Sequence, residues 1–247
     1  MAPLGARQED EEKMIRTTLV AGLFASVMAT SAALGGFQGI EADLVATNGP
    51  VTVPGHDDPP ETWTARVFAV VQEGDSLLEV YGNAQHDMYI AAQSQFYQNA
   101  FGGPTSLDID QADYASLPDL AYDSWVTIGA DNMNNNALVV DNVTFSAFNQ
   151  GSALFVNNGG WSVSDASGQG AAVQGPDGQW RVLIAQLTLF GPPSTSIIGQ
   201  VNLSGSIEGG GSWTEEGIAF ELNFVPAPSA LAVLGLAGLA GRRRRRH

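Results

Sequence analysis

Cysteine is absent from the chain, and lysine does not occur after Lys13. The first absence removes disulfides, thiolate metal sites, iron–sulfur clusters and cysteine nucleophiles together. The second removes the phosphate-binding loop that ends in Gly-Lys-Ser/Thr. Basic residues of any kind are scarce: between Thr17 and Gly241 there are only Arg66 and Arg181, against 22 acidic residues, a formal charge of −20. Such a surface repels phosphate backbones and anionic headgroups, which excludes nucleic acid as a partner. It attracts cations and suits a medium salty enough to screen its self-repulsion. No convincing long amphipathic helix occurs in this stretch either, and no internal repeat.

What is present is core and turn material. Of 247 residues 44% are hydrophobic, with five Trp, five Tyr and eleven Phe, and there are 29 Gly. That length accommodates one all-β domain able to bury a core without disulfides. Period-2, β-branched runs mark candidate strands at Ile40–Thr47, Thr62–Gln72, Leu77–Tyr81, Ser124–Gly129, Leu138–Phe145, Trp161–Ser164, Trp180–Phe190, Ile198–Ser206 and Ile218–Phe224. Turn chemistry separates them at Glu73-Gly74-Asp75, Asn132 to Asn136, Asn157 to Gly160, Gly175-Pro176-Asp177-Gly178, Pro192-Pro193 and Gly209-Gly210-Gly211. The run 180–190 is apolar on both faces, the mark of a central strand covered on both sides. Simple alternation puts Trp180, Val182, Ile184 and Gln186 on one face and Arg181, Leu183, Ala185 and Leu187 on the other. The stretch Ala91–Phe101 is ambiguous and admits a short helix on one edge. About nine strands without crossover helices predict an antiparallel β-sandwich or jelly roll over residues 36–224.

The two ends read as addresses. Over residues 14–35 Arg16 gives a basic n-region, Leu19 to Ala29 an apolar h-region, and Ala29-Thr30-Ser31-Ala32-Ala33 small-residue cleavage sites after Ala32 or Ala33. This predicts a secretory signal peptide. Residues 1–13 place Glu9-Asp10-Glu11-Glu12 ahead of that n-region, opposing the charge asymmetry of export, so Met14 is the expected natural start. Residues 225–247 carry three parts in order. Val225-Pro226-Ala227-Pro228 is held extended by its prolines. Ser229 to Gly241 is uncharged, and as a helix spans ~20 Å against a hydrocarbon core of ~30 Å, a marginal and temporary anchor. Arg242, Arg243, Arg244, Arg245 and Arg246 resist translocation and fix that end in the cytoplasm.

This arrangement resembles the PEP-CTERM sorting signal, with Ala227 where the type motif has Glu. The resemblance implies cleavage near the motif by an inner-membrane exosortase, a membrane association limited to the temporary helix, and delivery to the cell surface or an exopolysaccharide layer. Within the domain, TARVFAVVQEGDSLLEVYGN at 64–83, FYQNAFGG at 96–103, LAYDSWVTIG at 120–129, GGWSV at 159–163 and VLIAQLTL at 182–189 are similar to a pattern in secreted proteins bearing this tail. That likeness implies no catalytic residues.

Local chemistry is sparse. His56 and His86 each precede Asp, and neither has a second His at metal-binding spacing. A Ser-His-Asp triad needs one His, but no Gly-x-Ser-x-Gly elbow occurs, and no Gly-x-Gly-x-x-Gly follows a strand. Asp108, Asp110 and Asp113 set oxygen ligands at near-alternate positions, a candidate Ca²⁺ loop. It departs from an EF-hand in having Asp113 at the sixth position and Asp119 at the twelfth. Asp131, Asn132, Asn134, Asn135 and Asn136 form a second oxygen-rich loop. Paired carboxylates for glycoside hydrolysis cannot be picked out among so many acids. Most Trp fall in strands and are expected in the core, with Trp213, after three glycines, the one expected on the surface. The leading expectation is a non-enzymatic surface or matrix protein. Its rivals are a carbohydrate-binding module, which requires an exposed aromatic row on a sheet face, and a secreted hydrolase, which requires converging carboxylates or a His–Ser contact.

Overall fold

The computed structural model describes residues 36–51 and 60–224; the expected leader, His56 and the expected C-terminal signal lie outside them. Twelve strands occur among the described residues, all pairing antiparallel in two sheets. Sheet A runs β1 (Phe37–Thr47), β2 (Thr62–Val71), β10 (Trp180–Phe190) and the short β5 (Trp125–Val126), with β9 (Val173–Gln174) on the same edge of β10 as β5. Sheet B is organised on β11 (Ile197–Ser206). One edge pairs β12 (Ser212–Leu222); the other pairs β4 (Met88–Ala92) and then β3 (Ser76–Gly82). Beyond these, β7 (Leu154–Val156) joins β4, β8 (Gly159–Ser162) joins β3, and β6 (Val139–Asp141) joins β8. The fold is thus all-β and sandwich-like, as expected.

Alternation explains the layering. On β2, Trp63, Ala65, Val67, Ala69 and Val71 point into the core while Thr64, Arg66 and Phe68 point away. From sheet B, Leu77, Val80, Ile90, Val201 and Leu203 meet them in one cluster. The turn Glu73-Gly74-Asp75 carries the chain from one sheet to the other. Gly74 takes φ +82°, a left-handed backbone that favours glycine, and the buried Asp75 carboxylate accepts from Glu208 N at 2.8 Å. Both ends of the domain are pinned: Phe37 stacks on Trp213 with ring centres 6.3 Å apart, and Phe224 meets Trp63 edge-on at 5.3 Å.

Three expectations are corrected. β10 has the predicted bounds and is covered on both faces, but its register shifts between Leu183 and Ala185. This bulge switches the parity. Ala185 and Leu187 join Val182 and Ile184 in the core, and Gln186 joins Leu183 on the outer face. Ala91–Phe101 forms no helix; β4 ends at Ala92, and Phe96 and Tyr97 are buried, their amides donating to Gly151 O and Thr188 O. Trp213 is 6% exposed, closed between Phe37 and the glycines Gly36 and Gly205. Glycine is required at both: a Cβ at Gly36 would lie 2.3 Å from the indole and one at Gly205 2.5 Å.

Candidate functional site

The outer face of sheet A is closed by residues 93–137, an irregular cap with three 3₁₀ turns at Ser106–Asp108, Gln111–Ala115 and Pro118–Tyr122. Ile109, Leu120 and Trp125 from the cap pack on Leu183, with Phe68 and Tyr114 beside them. Its centre is Asp123, fully buried, whose carboxylate accepts from Asn99 N at 2.7 Å, Ser124 N at 3.0 Å and Gly103 N at 3.0 Å. Burial pushes its carboxyl up to about 7, against the three amide donors that pull the other way. Gln186 adds its amide, donating to Ala121 O and Asp123 O. Ser124 accepts from Thr188 N at 2.9 Å, and Trp161 Nε1 donates to Thr127 O at 3.0 Å. The stretches FYQNAFGG, LAYDSWVTIG, GGWSV and VLIAQLTL are therefore knotted to one another, and their polar groups hold the cap.

Both basic residues of the domain meet at one place. A cavity of about 310 Å³ at the rim of the cap is lined by Arg66, Phe68, Asp131, Gln169, Arg181 and Leu183, among others. Arg181 is 5% exposed, stacks 4.0 Å from the Phe68 ring centre and donates through Nη2 to Asp43 at 2.5 Å. Arg66 donates to Asp131 at 3.2 Å and to Gln186 at 3.3 Å. Each guanidinium is neutralised by a carboxylate, so the cavity offers apolar wall and little net charge.

The predicted calcium residues occupy separate turns. Asp108 Oδ2 accepts from Thr105 N at 3.1 Å and Thr105 Oγ1 at 2.8 Å, and Asp110 caps the next turn through Ala112 N at 2.9 Å. Asp113 is exposed. Among the described residues no three His, Cys, Asp or Glu side chains gather in a metal-holding arrangement. In the second oxygen-rich loop Asp131 pairs with Arg66, Asn132 accepts from Asn134 N, and Asn136 bonds Ser106 and Gln169. These bonds tie the loop to the first turn of the cap, to Arg66 and to Gln169.

The outer face of sheet B carries no such cap, although Asn202 on it is fully buried, donating to Tyr81 O and His86 O. One row across it reads Asp141, Gly160, Tyr81, Asn202; a second reads Val139, Ser162, Glu79, Ser204; a third reads Phe155, Tyr89, Gln200, Ala219. Tyr81 and Tyr89 lie opposite Asn202 and Gln200, two residues apart on β11, a rise of about 7 Å. Phe155, 56% exposed, stands one strand beyond Tyr89. Gly160 carries no Cβ, which would sit 2.3 Å from Val80 O, so the sheet dips there between Asp141 and Tyr81. The depression measures about 260 Å³ and is lined by Glu79, Tyr81, Asn83, Asp141, Asn158 and Ser162, among others.

A bulge on β12, between Glu215 and Ile218 with Gly217 at φ +66°, turns Glu216 onto this face. Glu216 Oε1 accepts from Tyr81 Oη at 2.9 Å and Asn83 Nδ2 at 2.8 Å, while its other oxygen lies 4.0 Å from His86 Nε2. Burial first, and then the Glu216 bond and the neighbouring carboxylates, push the Tyr81 phenol up to about 12, so it stays a neutral donor. Glu79 Oε2 accepts from Ser204 Oγ at 3.2 Å. No serine hydroxyl bonds to His86 among the described residues. Tyr81 lies in a strand readable from the sequence; the strand that carries Tyr89, and the pairing that sets the two side by side, were not. The chain matches no family model and none of the curated proteins compared with it.

Proposed function

We propose that this is an exported cell-surface or extracellular-matrix protein with a structural or binding role. The leader sends it out, the segment after Pro228 holds it briefly in the inner membrane, and an exosortase releases it near Val225-Pro226-Ala227-Pro228. The observation that carries this reading is where the folded body closes. Its first core ring, Phe37, and its last, Phe224, are both packed against tryptophans, so cleavage after Ala32 or Ala33 and near Val225 leaves the whole described core in place. Mass spectrometry of the protein recovered from cells tests it. The expected result is a chain lacking both the leader and the arginine tail; the intact chain in the cytosol, with all five terminal arginines, overturns it.

A second reading, a carbohydrate-binding module of an exopolysaccharide layer, is favoured by the rings of Tyr81, Tyr89 and Phe155 on one open sheet face.

A further inference from the structure

We infer that the open face of sheet B binds an amine-bearing glycan, with Tyr89 and Phe155 stacking on sugar rings and Glu79, Asp141 and Glu216 receiving its ammonium and hydroxyl groups. The inference deepens the carbohydrate-binding reading and rests on it.

The ring positions set the class. Phe155, at 56% exposure, and Ile198, at 44%, sit beside the half-buried Tyr89 on the outer face of sheet B. Leaving such groups in water is costly unless something flat and partly apolar lies on them. A pyranose ring has that character: CH groups on its faces and hydroxyls at its rim. The third ring, Tyr81, lies along β11 rather than across it, so the row follows a chain and not a single compact ligand.

The charges set the chemistry. Glu79 and Asp141 line the depression from opposite sides, and Glu216 is aimed onto the face by a bulge whose Gly217 amide is held by the buried Asn202. These are acceptors. The domain's two arginines both project from the other sheet, so no guanidinium here competes for the carboxylates or repels a cation. Glu216 already takes the Tyr81 and Asn83 donors; Asp141 accepts from no side chain and is exposed. A neutral glycan calls for a balance of donors and acceptors, and an acidic glycan meets repulsion. An amino sugar brings an ammonium that pairs with carboxylates and lies favourably over phenol and phenyl faces.

Isothermal titration of the purified protein against three oligosaccharides of equal length tests this: glucosamine, N-acetylglucosamine and galacturonate. The glucosamine oligomer is expected to bind, with added salt weakening it, and the N-acetylated one at least about tenfold more weakly. Tyr89→Ala and Phe155→Ala should each lower affinity by about tenfold. Glu79→Gln should lower affinity for the glucosamine oligomer and leave the N-acetylated one unchanged. Circular dichroism that matches the parent protein shows that each variant folds. Equal affinity for all three sugars overturns the amine assignment, unaltered affinity in the ring variants overturns the placement, and no binding to any sugar overturns both. Processing of the chain ends is read separately by mass spectrometry, so none of these outcomes bears on export.

Discussion

The two sheets treat their outer faces in opposite ways. Sheet A turns Thr64, Gln186 and Thr188 outward and then buries all three beneath the cap, where each finds a partner: Thr64 Oγ1 and Thr188 Oγ1 lie 2.7 Å apart, and Gln186 donates to two carbonyls. Sheet B turns Glu79, Tyr81, Tyr89, Gln200 and Ser204 outward, leaving Glu79 exposed and the other four half-buried with no cap above them. Polar residues on a strand therefore mean different things on the two sheets. On the first they are mortar, and a change there strands buried groups. On the second they are available, and a change there should alter what binds and not whether the protein folds.

The largest contrast should come from the cap. Asp123→Ala leaves the amides of Asn99, Gly103 and Ser124 buried without an acceptor. At about 1–3 kcal/mol for each orphaned donor, the loss is about 5 kcal/mol, read as a lower midpoint in urea at pH 5. If the variant unfolds within about 1 kcal/mol of the parent, the cap is not held as described. Next in size is Trp213→Ala, which empties the site between Phe37, Gly36 and Gly205. A large-to-small change there should cost about 4 kcal/mol. An exposed Trp213 would cost almost nothing, so this variant separates the buried indole from the surface residue that its triple-glycine neighbourhood suggests.

That contrast shows which features the sequence makes legible. β10 was readable to the residue because its nine inner positions are all buried, and no other element matches such a pattern. The facing of Gln186 was not, since a one-residue bulge leaves no mark in a run where every neighbour is apolar. β4 and β7 are five and three residues long, too short for periodicity to rise above the surrounding Gly, Asn and Ser. Trp213 was misplaced because Gly209-Gly210-Gly211 signals a turn, and the turn ends one residue before β12 begins. Asp123 is one of 22 acids with nothing local to single it out. Its signal was membership of LAYDSWVTIG, a stretch whose partner, FYQNAFGG, ends before the three turns of the cap begin. The open face was half legible: period-2 alternation in LLEVYG gives Glu79 and Tyr81 one side, but only β11 brings Tyr89 beside them.

The pH dependence sharpens the same comparison, because the buried Asp123 lies under the cap of sheet A. Asp123 holds its proton up to about 7 in the folded protein, above the ordinary carboxylate value of 3.8. The folded state thus binds more protons than the unfolded chain between those limits. Its contribution to stability is full below about pH 4 and is lost as pH rises through about 7. The whole shift, net of the three amide donors, corresponds to at most about 4 kcal/mol. Asp123→Asn should remove this part of the slope when denaturation midpoints are compared at pH 4.5 and 8. A parallel slope in parent and variant would assign the dependence to other acids.

The smallest effect belongs to the open face, and its smallness is the point. Phe155→Ala and Glu79→Gln touch side chains that reach into solvent, so each should move stability by less than about 0.5 kcal/mol. Tyr81→Phe removes a bond to Glu216 that is itself exposed, and should cost under about 1 kcal/mol. Thermal melts of the three variants against the parent decide it. Were any of them to lose as much as Trp213→Ala, the face would be part of the scaffold, like its counterpart under the cap. Were all three to melt with the parent, the rings and carboxylates of sheet B would be free of any structural duty, which is the condition a surface must meet before its composition can be read as a description of what it binds.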